Sequence, residues 1–143
     1  MDTFKVARLH PAAQLPTRKH PQDAGLDFYT LDAAELAPHS AAILPTGITV
    51  EIPAGCVGLL KPKGRHDHLV GAGVVDAGYQ GEVLIKIVNP FDRPLRFQAG
   101  DAIAQMLLIP ILTPPVEEVP AAGIHRQSTS RGATGGIVSQ HRD

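Results

Sequence analysis

The sequence holds a single cysteine, Cys56, and the lack of a second thiol excludes an internal disulfide and any cysteine zinc cluster. A reducing compartment suits such a chain. Charge of one sign is lacking too: the formal net charge is −1, so no global positive field draws in nucleic acid. An anionic substrate must therefore be met by a few placed cations, and nucleic acid is not an expected partner. No apolar run reaches the length of a bilayer span, because Pro110, Pro114 and Pro115 interrupt the longest one. Met1-Asp2-Thr3-Phe4-Lys5 lacks the apolar stretch of a secretory signal. Together these absences predict a cytoplasmic protein with no membrane partner.

What is present is an apolar fraction of 43% over 143 residues, enough for one domain with a real core. The 14 glycines and 13 prolines are spread along the chain rather than pooled in a linker. Between them lie short runs rich in Val, Ile and Leu: Ile43–Leu44, Ile48–Ile52, Val57–Leu60, Val83–Val88 and Ile103–Ile111. Ile48–Ile52 and Val83–Val88 read as strands, being β-branched and bounded by Gly, Pro or Asn. No stretch keeps a long 3.6-residue apolar period, and Leu31–Leu36 offers at most one short helical turn. This spacing predicts an all-β sandwich or barrel. Thr113-Pro114-Pro115-Val116-Glu117-Glu118-Val119-Pro120 is predicted to leave the domain as a stiff, extended arm, because proline fixes φ and cannot continue a ladder. Gln127–Ser139 is polar and glycine-rich, a mobile tail unless a partner orders it. The expected division is a β domain over residues 1–120, including the start of the arm, and a tail over 121–143.

Chemistry concentrates in three segments. Gly71-Ala72-Gly73-Val74-Val75-Asp76-Ala77-Gly78-Tyr79-Gln80-Gly81-Glu82 predicts a hairpin or tight loop, whose open backbone groups could pair with the edge of a planar ligand. Asp76 follows two valines, so a part-buried carboxylate with a raised pKa, suited to take a proton from water, is expected there. Tyr79 adds an aromatic face and a hydroxyl. An ordinary turn capped by Asp76 fits the same residues. Lys61-Pro62-Lys63-Gly64-Arg65-His66-Asp67-His68 gathers three cations and two histidines, a set that could bind phosphate oxygens or form a solvated basic loop. The spacing of His66 and His68 is compatible with a metal without being diagnostic of one. Arg131-Gly132-Ala133-Thr134-Gly135-Gly136 sets an arginine fork beside glycine-rich backbone donors, as a polyphosphate requires, yet lacks the closing residues of a P-loop. An unstructured tail is the other reading of that segment.

Taken in order, these segments resemble the motifs of the trimeric dUTP diphosphatase family. Asp23-Ala24-Gly25-Leu26-Asp27-Phe28 is similar to the first motif and Gly73–Glu82 to the third. Gly100-Asp101-Ala102-Ile103-Ala104-Gln105-Met106 is similar to the fourth and Arg131–Gly136 to the fifth. Leu44-Pro45-Thr46-Gly47-Ile48 and Ile52-Pro53-Ala54-Gly55-Cys56-Val57-Gly58 resemble family framework, so the likeness spans nearly the whole chain. The resemblance implies a jelly-roll-like all-β subunit, a homotrimer with sites at subunit interfaces, and a carboxy-terminal arm that closes over a neighbour's site. It implies hydrolysis of dUTP to dUMP and pyrophosphate with Mg2+ on the triphosphate. Asp76 would activate the water that attacks the α-phosphorus, and Tyr79 would pack under the deoxyribose and reject a 2′-hydroxyl. Asp27, through water, and Gln105 would reach the magnesium shell or the phosphates. Arg131, with Gly135 and Gly136, would clamp the terminal phosphate, while Gly73 and Val74 would meet the base.

The likeness breaks at named positions. The second motif reads Pro62-Lys63-Gly64-Arg65 where the family has Pro-Arg-Ser, and Lys63, Gly64 and Arg65 are all candidates for phosphate contact. Val70 stands nearest to a family asparagine that helps read uracil, Ala102 replaces an arginine, and Ile137 and Val138 replace an aromatic residue and a glycine. Two other functions follow from these breaks: a broader deoxynucleoside triphosphate pyrophosphatase, or a catalytically silent nucleotide-binding module. The catalytic glutamate context of the related dCTP deaminases is not evident.

Overall fold

The computed structural model describes residues 3–133. Ten strands follow one another: β1 Val6–Arg8, β2 Leu26–Tyr29, β3 Ala34–Leu36, β4 Ala41–Val50, β5 Cys56–Lys61, β6 Leu69–Gly71, β7 Val74–Val75, β8 Glu82–Val88, β9 Leu95–Phe97 and β10 Ala102–Pro110. They form two four-stranded sheets, ordered β1-β4-β8-β6 and β2-β10-β5-β7, and a two-stranded ribbon of β3 and β9. Every pairing is antiparallel. The all-β expectation holds. So do the expected strands: β8 buries Val83, Ile85 and Ile87 while Leu84 and Lys86 face outward, the alternation that a half-buried sheet demands.

Two stretches take forms that the sequence left open. Leu31–Leu36 contains no helical turn; Leu36 is buried and pairs with Leu95, so the backbone finds its partners in a ladder instead. The runs Ile43–Leu44 and Ile48–Ile52 are not separate either. Ile43–Leu44 and residues 48–50 belong to β4, with Glu51 and Ile52 beyond its end, and the strand carries Pro45 and Gly47 through a bulge: Pro45 faces Leu84, Thr49 faces Glu82, and three residues stand opposite Val83 alone. Gly47 has a φ of +68°, a backbone shape that a side chain would strain.

The core is aliphatic, centred on Phe28, Leu36, Ile48, Ile85, Ile87, Ile103 and Met106. Burying such side chains contributes on the order of 2 kcal/mol each. Asn89 is the polar exception. It is wholly buried, donates to the carbonyls of Leu36, Ala37 and Arg93, and accepts the Phe91 amide at 3.0 Å, so its polar groups are satisfied.

The chain divides into two compact units, Met1–Thr113 and Pro114–Asp143, and the strands all lie in the first. In the second, residues 114–120 run without regular structure, as the prolines predict, into one 3-10 turn at Ala121–Gly123. No helix of the described residues is long and apolar enough to cross a membrane.

Candidate active site

Strand β5 organises the candidate site. On one side it pairs with β7, and the Leu60 amide donates to the Gly73 carbonyl at 2.6 Å. The backbones are so close that a Cβ at Gly73 would stand 2.8 Å from Leu60 Cβ, so only glycine fits. Beyond Val75 the chain turns through Asp76–Tyr79, closed by the Tyr79 amide donating to the Asp76 carbonyl at 3.1 Å. It then enters β8, which belongs to the other sheet. The expected hairpin is thus a tight loop that passes between sheets. It walls a cleft of about 200 Å³ with Leu60, Ala72, Val74, Asp76, Tyr79 and Leu84.

Asp76 and Tyr79 therefore share one cleft. The carboxylate is exposed in the single chain, against the expectation of partial burial. Alternation explains the difference: Val75 takes the inward position and turns its successor out. The Tyr79 hydroxyl donates to the Glu82 carbonyl at 2.5 Å, and its ring lies over Gly81.

Past Leu60, the carboxy-terminal end of β5 leads directly to Pro62 and Lys63. The Lys63 ammonium pairs with the Asp27 carboxylate, both side chains being largely buried. Gln105, whose neighbours across the ladders are Asp27 and Lys61, donates to the Pro62 carbonyl at 3.0 Å. Gly25 must be glycine here, because a Cβ would come within 2.9 Å of Gln105 Cβ. Lys63, Asp27 and Gln105 are thus brought together.

Gly64 and Arg65 are exposed, and Arg65 lines a different cleft, about 380 Å³, with His66, His68 and Arg96. His68 is buried, stacks on His66 at 4.8 Å and meets the Phe97 ring edge-on. Its Nε2 lies 2.8 Å from the Ile103 carbonyl, which can only accept, so this nitrogen carries the proton and is closed to a metal. His66 Nδ1 is buried without a hydrogen-bond partner. Burial, then His68 and Lys63, hold the His66 pKa below its ordinary 6.5, with Asp27 and Asp101 opposing. Among the described residues no group of three His, Cys, Asp or Glu side chains could hold a metal ion. Val70 pairs with Ile87 in the sheet opposite β7. Arg131 lies in the second unit, and Gly135, Gly136, Ile137 and Val138 fall outside the described residues.

The dUTPase family model matches residues 12–135. The chain belongs to the dUTPase family. The deoxyuridine 5'-triphosphate nucleotidohydrolase of Mycolicibacterium vanbaalenii is 38% identical, over 96% of this chain and 97% of its own. That of Mycobacterium leprae is 40% identical, over 93% and 92%. Among solved structures, the dUTPase of Staphylococcus bacteriophage 80alpha with dUPNHPP superposes with a TM-score of 0.85 at 28% identity, covering 95% of this chain and 97% of that one. A mutant dUTPase of phage phi11 of S. aureus, described as revealing the coordination of a structural Mg(II) ion, has a TM-score of 0.76 at 28% identity.

Within this dUTPase fold the apolar walls at Leu60, Ala72 and Leu84 escaped the sequence reading. One signal could have found Leu84. It is an apolar residue on the outward-facing phase of β8, half exposed where a polar one is the rule.

Proposed function

We propose that this protein hydrolyses dUTP to dUMP and pyrophosphate through attack of an Asp76-held water on the α-phosphorus. One observation carries the proposal. Asp76 and Tyr79 share a turn on an apolar cleft whose wall, Leu60, lies on the strand that delivers Pro62 and Lys63 to Asp27 and Gln105. In this reading the nucleoside end at Leu60 and the polyphosphate end at Lys63 are three residues of chain apart, across the end of β5. The family and the names of the relatives support the substrate.

In this reading Asp76 orients the water and takes its proton; the water oxygen bonds the α-phosphorus as the bond to the α–β bridging oxygen breaks, and pyrophosphate leaves with that electron pair. Tyr79 packs under the deoxyribose and leaves no space for a 2′-hydroxyl. Lys63 and Gln105 meet phosphate oxygens, with Arg131, Gly135 and Gly136 of the tail adding theirs. Gly73 and Val74 present backbone groups to the base. The donor set fits a metal carried on the phosphates, because Asp27 supplies a carboxylate oxygen beside the Lys63 and Gln105 side chains. Asp27 would help to hold Mg2+ through water, and the ion would supply charge neutralisation for the leaving pyrophosphate.

A homotrimer in the cytoplasm, with the arm reaching a neighbour, completes the proposal. Its support is the outward apolar side chains Ile43, Leu69 and Leu84 on one sheet, which an assembly would cover.

The test is pyrophosphate release from dUTP with Mg2+. Asp76→Asn should cut the rate about a thousandfold while nucleotide binding persists. No release by the wild type would favour a silent binding module and overturn the proposal.

A further inference from the structure

The turn that carries Asp76 and Tyr79 is tied down from outside the cleft. The bulge in β4 leaves three residues, Thr46 to Ile48, opposite Val83, and groups freed from the ladder turn towards the start of β8. The Gly47 amide donates to the Glu82 carboxylate at 3.0 Å. The Thr46 hydroxyl donates to the Val83 carbonyl at 2.7 Å, and the Thr49 hydroxyl to the Gly81 carbonyl at 2.9 Å. Gly47 itself cannot shift freely: its φ is positive, and a Cβ there would lie 2.8 Å from Ala13 Cβ. From the cleft side, the Tyr79 hydroxyl grips the backbone carbonyl of the same Glu82 at 2.5 Å.

We infer that Glu82 is a positioning residue: by accepting the Gly47 amide it fixes where Tyr79 stands in the cleft, and so sets how strictly a ribonucleotide is rejected. This rests on the proposed role of Tyr79 under the deoxyribose. The bond asks for an acceptor oxygen, which an amide side chain also offers, so the charge of Glu82 is dispensable. Glu82 borders the same cleft, and the role inferred for it is exerted through the tyrosine.

The experiment measures kcat and KM for dUTP and UTP with the full chain as wild type, Glu82→Gln, Glu82→Ala and Thr49→Val. Glu82→Ala should lower the dUTP-over-UTP ratio of kcat/KM about fivefold, the scale of one lost hydrogen bond. The change should come chiefly as a lowered KM for UTP. Glu82→Gln should stay within about twofold of wild type, and Thr49→Val should move the ratio in the same direction as Glu82→Ala but less. Should Glu82→Ala not fold, Thr49→Val and Glu82→Gln decide. An unchanged ratio in Thr49→Val and Glu82→Ala, or a ratio in Glu82→Gln as low as in Glu82→Ala, overturns the inference. A wild type that does not distinguish dUTP from UTP instead sinks the reading of Tyr79, and this inference with it.

Discussion

The turn from Asp76 to Glu82 and the loop from Pro62 to His68 both depend on β5, yet they are built by opposite means. The turn is held chiefly by close backbone approaches, Gly73 hard against Leu60 and Gly81 beneath the Tyr79 ring, with the Thr49 hydroxyl on the Gly81 carbonyl and the Glu82 carboxylate on the Gly47 amide at its far end. The loop is held through its side chains, with Lys63 on Asp27 and the His66–His68 stack against Phe97. A backbone contact that admits only glycine leaves few sequences free to make it. A side-chain contact can be met by several residues. That is where the family likeness breaks, at Lys63, Gly64 and Arg65, while the Gly73–Glu82 motif stays whole.

The sharpest way to break this comparison is a methyl group on each side. Gly73→Ala should cost about 3 kcal/mol, because the Leu60 backbone cannot retreat, and should take dUTP turnover with it. Gly64→Ala, with nothing within 4 Å of its added Cβ, should change stability by less than about 0.5 kcal/mol. Urea unfolding of both variants checks the pair; equal losses would mean that the turn is no more constrained than the loop.

A smaller effect separates the two cations. Lys63→Met should raise KM for dUTP about tenfold and cost roughly 2 kcal/mol of stability, since Asp27 is left largely buried without its partner. Arg65→Met should raise KM by no more than about twofold, as its side chain lines another cleft. Steady-state kinetics that reversed this order would assign the phosphate role to Arg65.

The smallest effect is in pH. The folded-state pKa of His66 lies below its ordinary 6.5, so the unfolded chain takes up this proton first as pH falls. Stability from this group is complete above 6.5 and is lost as pH drops through the lowered folded value. His66→Gln should flatten the unfolding midpoint between pH 7 and the acid side of that window; an unchanged slope would place His66 in open solvent.

Much of this was legible in residue type and punctuation. The β-branched run Val83–Val88, bounded by Gly81 and Asn89, announced β8, and the prolines from Pro110 to Pro115 announced the end of the strands. β4 was not legible as one strand, because a proline and a glycine inside a ladder read as a break unless the residue opposite the bulge, Val83, is known. The Asp76 turn was found through its residue types, but its carboxylate was expected to be part-buried, since three letters do not say which valine faces inward. The choice between Lys63 and Arg65 could not be read at all. Two cations two residues apart look alike until β2 and β10 bring Asp27 and Gln105 to one of them. Glu82 escaped because its partner, Gly47, is far away in sequence and has no side chain to mark it.

The central claim is that a backbone-built nucleoside end selects dUTP without the asparagine that Val70 displaces. Its cleft is walled by apolar Leu60, Ala72, Val74 and Leu84, and the Glu82 carboxylate and Tyr79 hydroxyl are already engaged. The direct measurement is pyrophosphate release with Mg2+ from dUTP, dCTP and dTTP at equal concentration. The account predicts dUTP favoured by about a hundredfold or more in kcat/KM, as unpaired polar base edges disfavour the others. Comparable rates on all three would contradict it, and would make the protein a broader deoxynucleoside triphosphate pyrophosphatase.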